Sequence, residues 1–442
     1  MTSSFPVQER IGPGRILLFC IIFFGLAVTE EVSNTMLPLT LQRMTADFSW
    51  SFSLPVFGAV TIGSAFVIGL ILALNPLFGV IAQPLVGVIS DRVWTRVGRR
   101  AFFIIISAPV VALCLVSVPL TSTLWKLVMI VVVYQFFQDV LWGSDHPLLA
   151  DLFPSRQRGM VVGMLAISYQ LGAVFVSRVG LAWVEAHEAA NGGELFGLPL
   201  YGTAAALQIG LVMGLAFFLW EKPNPGPPRP KVTIKSYVKD FAEQPGLLRM
   251  GWIHFLRAFM YHSATSFLVL FGTITLGATL GDYARMMGWL PLTAMGYVWI
   301  VGIVADRVRR ERMLLFGFVV SVVGYALAWT ANTLFVLAIA YLIFRFAWTV
   351  LEITFKSLVT DFYPREMVGQ LAGAINIFFA AGRTLAVISV GALVGLLDNN
   401  YRVIWIVAGL TGVVCYLVAR KVTDPRIEAE AKAAAEALEN RT

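Results

Sequence analysis

Gly87-Val88-Ile89-Ser90-Asp91-Arg92-Val93-Trp94-Thr95-Arg96-Val97-Gly98-Arg99-Arg100 joins two long apolar runs. A carboxylate at a helix end, followed at once by arginines, can pair with a neighbouring helix, and glycine lets helices approach closely. A degenerate copy, Gly302-Ile303-Val304-Ala305-Asp306-Arg307-Val308-Arg309-Arg310-Glu311-Arg312, puts its aspartate 215 residues further on. Leu149-Ala150-Asp151-Leu152-Phe153-Pro154 recurs as Val359-Thr360-Asp361-Phe362-Tyr363-Pro364, its aspartate 210 residues later. Two signals at nearly one offset imply duplicated halves, an architecture in which a transporter rocks about a central site.

The rest of the chain agrees with a membrane setting. Of 442 residues, 58% are hydrophobic and only 13% charged, which removes the chain from the soluble range. Apolar runs long enough to span, roughly 20 residues each, fall near 16–39, 66–89, 101–120, 127–149, 160–184, 201–220, 251–276, 287–304, 313–331, 334–359, 371–397 and 403–419. The predicted fold is an all-α integral membrane protein of twelve transmembrane helices in two pseudo-symmetric six-helix halves. The first run carries Glu30 and Glu31 and no small-residue cleavage site, so it reads as a retained helix rather than a signal peptide. Cys20, Cys114 and Cys415 lie far apart inside apolar runs and imply no disulfide framework.

Lysine and arginine alternate between loops in the manner that sets topology. With the N-terminus inside, the inner loops hold Arg92, Arg96, Arg99, Arg100, Arg156, Arg158, Lys222, Lys231, Arg307, Arg309 and Arg310, and the outer ones far fewer. Both termini are therefore expected in the cytoplasm, in a plasma membrane (the inner membrane of a bacterium). The net charge of +7 belongs to these clusters and not to nucleic-acid binding. The expected domains are 1–220, a six-helix half; 221–250, a cytoplasmic central loop; 251–420, the second half; and 421–442, a cytoplasmic tail.

The 87–100 loop and its copy resemble the loops that the major facilitator superfamily carries after the second and eighth helices. The resemblance implies a gating role for Gly87, Asp91, Arg92, Arg96, Gly98, Arg99, Arg100, Asp306 and Arg307; the competing role is a purely topological anchor, which uses the same arginines. Upstream, Asn75-Pro76-Leu77-Phe78-Gly79-Val80-Ile81-Ala82-Gln83-Pro84-Leu85-Val86-Gly87, with Leu148 to Leu152 on the fourth span, is similar to the sucrose transporter and glycoside symporter branch. The chain departs from that branch in two places. Gln135 stands where such transporters carry an acid, with Asp139 one turn on, and Asp145-His146-Pro147 replaces the arginine before Leu148. Gly79 and Gln83 stand where sodium-coupled relatives carry aspartates, so a sodium site looks absent.

Ionisable residues at membrane depth cost about 3 kcal/mol on insertion scales unless paired or hydrated, and so are functional candidates. Here they are Glu30, Glu31, Asp139, Asp145, His146, Arg178, Arg257, His262, Arg345, Glu352, Lys356 and Arg383. Asp139, Glu30 and Glu31 are candidates for proton coupling, Asp139 favoured, against the alternative of permanent ion pairs with Arg257, Arg345 or Arg383. Adjacent Glu30 and Glu31 project about 100° apart, so at most one points straight into a cavity. Glu352 and Lys356 read as an i,i+4 pair. A sugar site needs an apolar face and hydrogen-bonding groups, which the resemblance places on the first, fourth, seventh and tenth spans. Substrate-binding candidates are Gln135, Gln138, Asn34, Trp142, Arg257, His262, Arg345, Trp348, Asn376 and Arg383, with Trp252, Tyr261 and Phe346 as further aromatic platforms.

No nucleotide loop or metal-ligand spacing occurs in the sequence, so neither an enzyme nor a cofactor is expected. The function expected is a secondary active transporter, moving a sugar or glycoside with protons by alternating access. The alternatives are a carrier or exporter of another small organic solute, and a non-transporting receptor or assembly factor on the same scaffold. The expected partners are a small-molecule substrate, protons and the lipid bilayer; a monomer is expected.

Overall fold

A computed structural model describes residues 11–54, 58–90, 95–98, 100–153, 155–218, 241, 243–244, 246–305, 308–360, 362 and 368–422. The central loop and tail expected at 221–250 and 421–442 lie mostly outside these residues. Over the described residues, each of the twelve apolar runs is mainly helical. The first is Pro13–Met44, which starts where a proline supplies a pre-set φ and lacks only an N–H that would be orphaned anyway. The second is Ser64–Leu72 continued by Leu74–Ser90, the third Ala101–Ser117 and the fourth Leu124–Leu152. The fifth runs Ser155–Val174, widens into a π-helical turn at Phe175–Gly180 and ends at Leu181–Asn191, where Gly192 takes the left-handed cap. The sixth, beginning Leu198–Leu207, contains a second such turn, Gln208–Met213, and the seventh, beginning Leu247–Thr265, a third, Phe271–Thr275. The eighth comprises Leu280–Met287 and Thr293–Ala305 around a single 3-10 turn, Leu290–Leu292. Arg310–Trp329, Leu334–Thr360, Val368–Leu396 and Val403–Ala419 are the ninth to twelfth.

Nine helical segments among the described residues are long and apolar enough to cross a membrane, and Ala101–Ser117 and Val403–Ala419 are shorter apolar helices. Two starts differ from the sequence reading. The eighth helix begins at Leu280 rather than near 287, because Thr279 caps it by accepting a hydrogen bond from the Asp282 N–H at 3.1 Å. Ahead of the second helix, Ser49–Leu54 pairs antiparallel with Gly58–Gly63, a small ribbon where only a loop was expected.

Packing divides the chain into two compact units, each assembled from separate stretches. One comprises Met1–Asp47, Leu77–Gly226 and Thr279–Leu292; the other comprises Phe48–Pro76, Pro227–Ala278 and Thr293–Thr442. Within the first, the first helix packs on the fifth and sixth, and the third on the fourth and sixth. Within the second, the seventh packs on the eleventh and twelfth, and the ninth on the tenth and twelfth. The pairing rule is the same, six helices on. The borrowed pieces follow it too: Ser64–Leu72 packs on the eleventh helix, and Leu280–Met287 on the end of the fifth.

The first of these borrowed contacts is backbone against backbone. A Cβ on Gly391 would meet the Ala65 carbonyl oxygen at 2.7 Å, and one on Gly69 would meet that of Val387 at 2.7 Å. Gly391 and Gly395 are spaced as in the small-xxx-small pattern that lets helices touch closely in lipid. The Asn399 amide oxygen accepts from the Ala65 N–H at 3.4 Å, at the start of that short helix.

Candidate functional site

In the unit that holds the first helix, two neighbouring carboxylates diverge. Glu30 accepts a hydrogen bond from the Trp142 indole N–H on the fourth helix at 3.1 Å. Glu31 turns along its own helix and accepts from the Thr35 hydroxyl at 3.1 Å. This is the outcome that the angular separation of adjacent helical residues demands. Glu30 forms no ion pair with any described residue.

Around Glu30 lies a buried polar layer. The Thr29 hydroxyl donates to the Gln208 amide oxygen at 3.0 Å, and the Thr29 carbonyl accepts from Tyr134 at 3.0 Å. Gln135 donates to the Ser33 hydroxyl at 3.3 Å, so the residue in the acid's place ties the fourth helix to the first. Asp139 is buried, near Tyr134. Gln138 is 1% exposed, yet neither end of its amide has a hydrogen-bond partner among the described residues. A buried amide left so costs about 1–3 kcal/mol. Asn34, by contrast, is exposed. Arg178 sits in the π-helical turn of the fifth helix, its guanidinium 5.6 Å from the Trp289 ring centre.

In the other unit the interior is cationic and aromatic. Arg257, fully buried, donates to Glu352 at 2.6 Å, and Glu352 also pairs with Lys356 at 2.7 Å. The second arm of the Arg257 guanidinium lies 3.1 Å from the His254 ring nitrogen. Its flat face stacks 4.6 Å from Trp348 and 4.9 Å from Phe355, a geometry in which the ring quadrupole attracts the cation. Tyr261 stacks on Trp348 with ring centres 3.9 Å apart, and its hydroxyl accepts from Arg345 at 2.8 Å. His262 meets the edge of Phe379. Arg383 is half-buried on the eleventh helix, and its guanidinium has no hydrogen bond or ion pair with a described residue. Asn376 is exposed on the same helix.

The structure thus joins Glu30 to Trp142, and groups Arg257, His262, Arg345 and Trp348 with Tyr261. It corrects two platforms. Trp252 is half exposed and packs on Phe255 and Phe378. Phe346 packs with Val301, Met313 and Val350 and meets Tyr297 edge-on. Of the three arginines weighed as ion-pair partners for Glu30, Glu31 or Asp139, Arg257 has Glu352 as its counter-charge. Lys356 and Glu352 pair as their spacing indicates.

Sequence reasoning missed His254, Tyr134, Ser33 and Gln208. His254 was within reach, because it stands one helical turn before Arg257 and so shares its face. Gln208 gave no such signal. Of the gating motif, Asp91, Arg92, Arg99, Asp306 and Arg307 lie outside the described residues, and only the backbone is described at Gly87, as at Asp145 and His146 of the fourth helix. Arg100 is buried, Arg96 is exposed, and Gly98, at φ +112°, closes a tight turn with Thr95.

Comparison with curated proteins by sequence gives no match. Solved structures do match along nearly the whole chain. The nucleoside transporter NupG, in a mutant form, aligns at a TM-score of 0.69 with 14% identity over 92% of this chain and 98% of its own. A D-xylose-proton symporter aligns at 0.68 with 14% identity over 93% and 99%. A bacterial homolog of the human lysosomal transporter Spinster, inward-facing and occupied, aligns at 0.67 with 15% identity over 92% and 97%. At such identities the likeness is one of fold. The family model of the Major Facilitator Superfamily matches residues 39–387 and 294–441, and the chain belongs to that superfamily of transporters.

Proposed function

We propose that this chain is a proton-coupled symporter of a sugar or glycoside, working by alternating access between the halves 1–220 and 251–420. It would sit as a monomer in the plasma membrane with both termini in the cytoplasm, where the arginine-rich loops favour them. The observation that carries the reading is Glu30. It is a membrane-depth carboxylate held by a neutral indole and by no described cation, so it can gain and lose a proton without breaking an ion pair. This geometry favours Glu30 over Asp139, the acid preferred on sequence. The Tyr261–Trp348 shelf beside Arg345 offers the flat face and donors that a sugar ring needs.

The test is transport in proteoliposomes. An inward proton gradient should drive accumulation of the solute, a protonophore should abolish it, and sodium should be dispensable. Glu30→Gln should lose accumulation but keep solute exchange, which moves no net proton. Asp139→Asn and Glu31→Gln should keep both. Accumulation by Glu30→Gln at the wild-type level would sink the assignment.

A second reading, a carrier for an organic anion, is favoured by one observation. The seventh, tenth and eleventh helices carry the buried or half-buried Arg257, Arg345 and Arg383 against a single partly buried carboxylate, Glu352, among the described residues. Competition of uptake by neutral sugars and by their carboxylate analogues separates the two. Stronger competition by the anions, lost in Arg383→Gln, would select the second reading.

A further inference from the structure

Away from both polar layers, a groove of about 270 Å³ opens between the eighth, ninth and tenth helices. Its walls include Ile300, Val304, Phe316, Phe346 and Val350, and among the described residues Arg312 is the one charged residue that lines it. Ile300, Val304 and Phe316 are 58%, 40% and 53% exposed, so this wall faces outward, where a membrane protein meets acyl chains. Nothing in the groove suits a soluble polar solute, because a sugar needs several hydrogen-bonding groups and the lining offers only a guanidinium.

The charges near its mouth are not equivalent. Arg309 is paired with Glu311, and Arg310 donates to the Ser357 carbonyl at 3.0 Å. Arg312 is exposed, and its guanidinium has no hydrogen bond or ion pair with a described residue. It stands in the first turn of the ninth helix, Arg310–Trp329, whose N-cap residue offers no side-chain acceptor. The positive end of the helix dipole adds to the guanidinium's attraction for an anion, while Arg309 offsets the Glu311 carboxylate of the same turn. Phe316 lies one turn further along the same helix, so the groove descends from the charged end into the apolar layer.

We propose that this groove is a binding site for one anionic phospholipid, its phosphate against Arg312 and one acyl chain along Val304 and Phe316. Basic pockets between helices on the cytoplasmic side of a membrane suit such headgroups, and the arginine bias puts this helix end on that side. The site is independent of the transported solute and of the reading given for it.

The full-length protein, purified in detergent, would be mixed with phosphatidylglycerol or phosphatidylcholine and the retained lipid counted by native mass spectrometry. Wild type should keep one phosphatidylglycerol at least fivefold more strongly than phosphatidylcholine, and retention should fall as salt rises. Arg312→Ala should erase the preference, Arg312→Lys should restore part of it, and Val304→Trp, which fills the groove but leaves the charge, should weaken both lipids. If Arg312→Ala fails to fold, the salt titration and Val304→Trp decide. Equal retention of the two lipids by wild type, or retention unchanged in Val304→Trp, overturns the proposal. Displacement of the lipid by inorganic phosphate at equal concentration would also overturn it, by making the site one for a soluble anion.

Discussion

The two packed units use one helix-pairing rule for opposite chemistry. In the first, an acid is met by a neutral donor: Glu30 has the Trp142 indole, within a layer of glutamines, threonine and tyrosine. In the second, a cation is met by an acid: Arg257 is buried against Glu352 and sandwiched by rings. The first carboxylate thus has a neutral partner and the second a charged one. If Glu30 carries the coupled proton as proposed, the two units divide a variable charge from a paired one.

The same carboxylate-to-amide change should sharpen that contrast. Glu352→Gln leaves a fully buried guanidinium without its carboxylate, which should destabilise the protein by about 3 kcal/mol, read as a large fall in melting temperature in detergent. Trp348→Ala, which removes both the Tyr261 stack and one face of the Arg257 sandwich, should cost about 2 kcal/mol and raise the KM for the solute about tenfold. Glu30→Gln should cost less than about 1 kcal/mol, because the amide oxygen still accepts from Trp142. If it melts as low as Glu352→Gln, the comparison fails. Gln138→Leu comes last. Removing an amide with no described partner should leave stability nearly unchanged or slightly raised, while transport falls if the amide serves the solute.

Much of this was legible in the sequence. Twelve apolar runs became helices because length and hydrophobicity alone decide what can span a bilayer. The divergence of Glu30 and Glu31 followed from helical geometry. The ribbon at 49–63 was also readable, since Ser49-Trp50-Ser51-Phe52-Ser53-Leu54 alternates polar and apolar with the period of a strand. What could not be read were partnerships across the chain. Arg257 and Glu352 are 95 residues apart, and no local spacing selects that pairing over Arg345 or Lys356. The assignment of Phe48–Pro76 and Thr279–Leu292 to the units of other helices is equally non-local, since it depends on which surfaces fit and not on any run of residues. Trp252 and Phe346 misled for a related reason: being aromatic and on the right helix does not fix which face a ring takes.

The seam where Gly391 and Gly395 meet the backbone of Ser64–Leu72 has a thermodynamic character of its own. Most interhelical contacts freeze side-chain rotamers, and those rotamers regain freedom when the contact parts. Glycine has none to freeze. Parting this seam therefore releases almost no side-chain entropy, and remaking it requires almost none; in lipid it also exposes little that the acyl chains do not cover equally well. What remains is short-range dispersion, of which a gap of about 0.5–1 Å already forfeits a quarter to a half. The joint therefore holds by closeness of backbone alone, and its two glycines have no side chains to reorder whether it is open or shut.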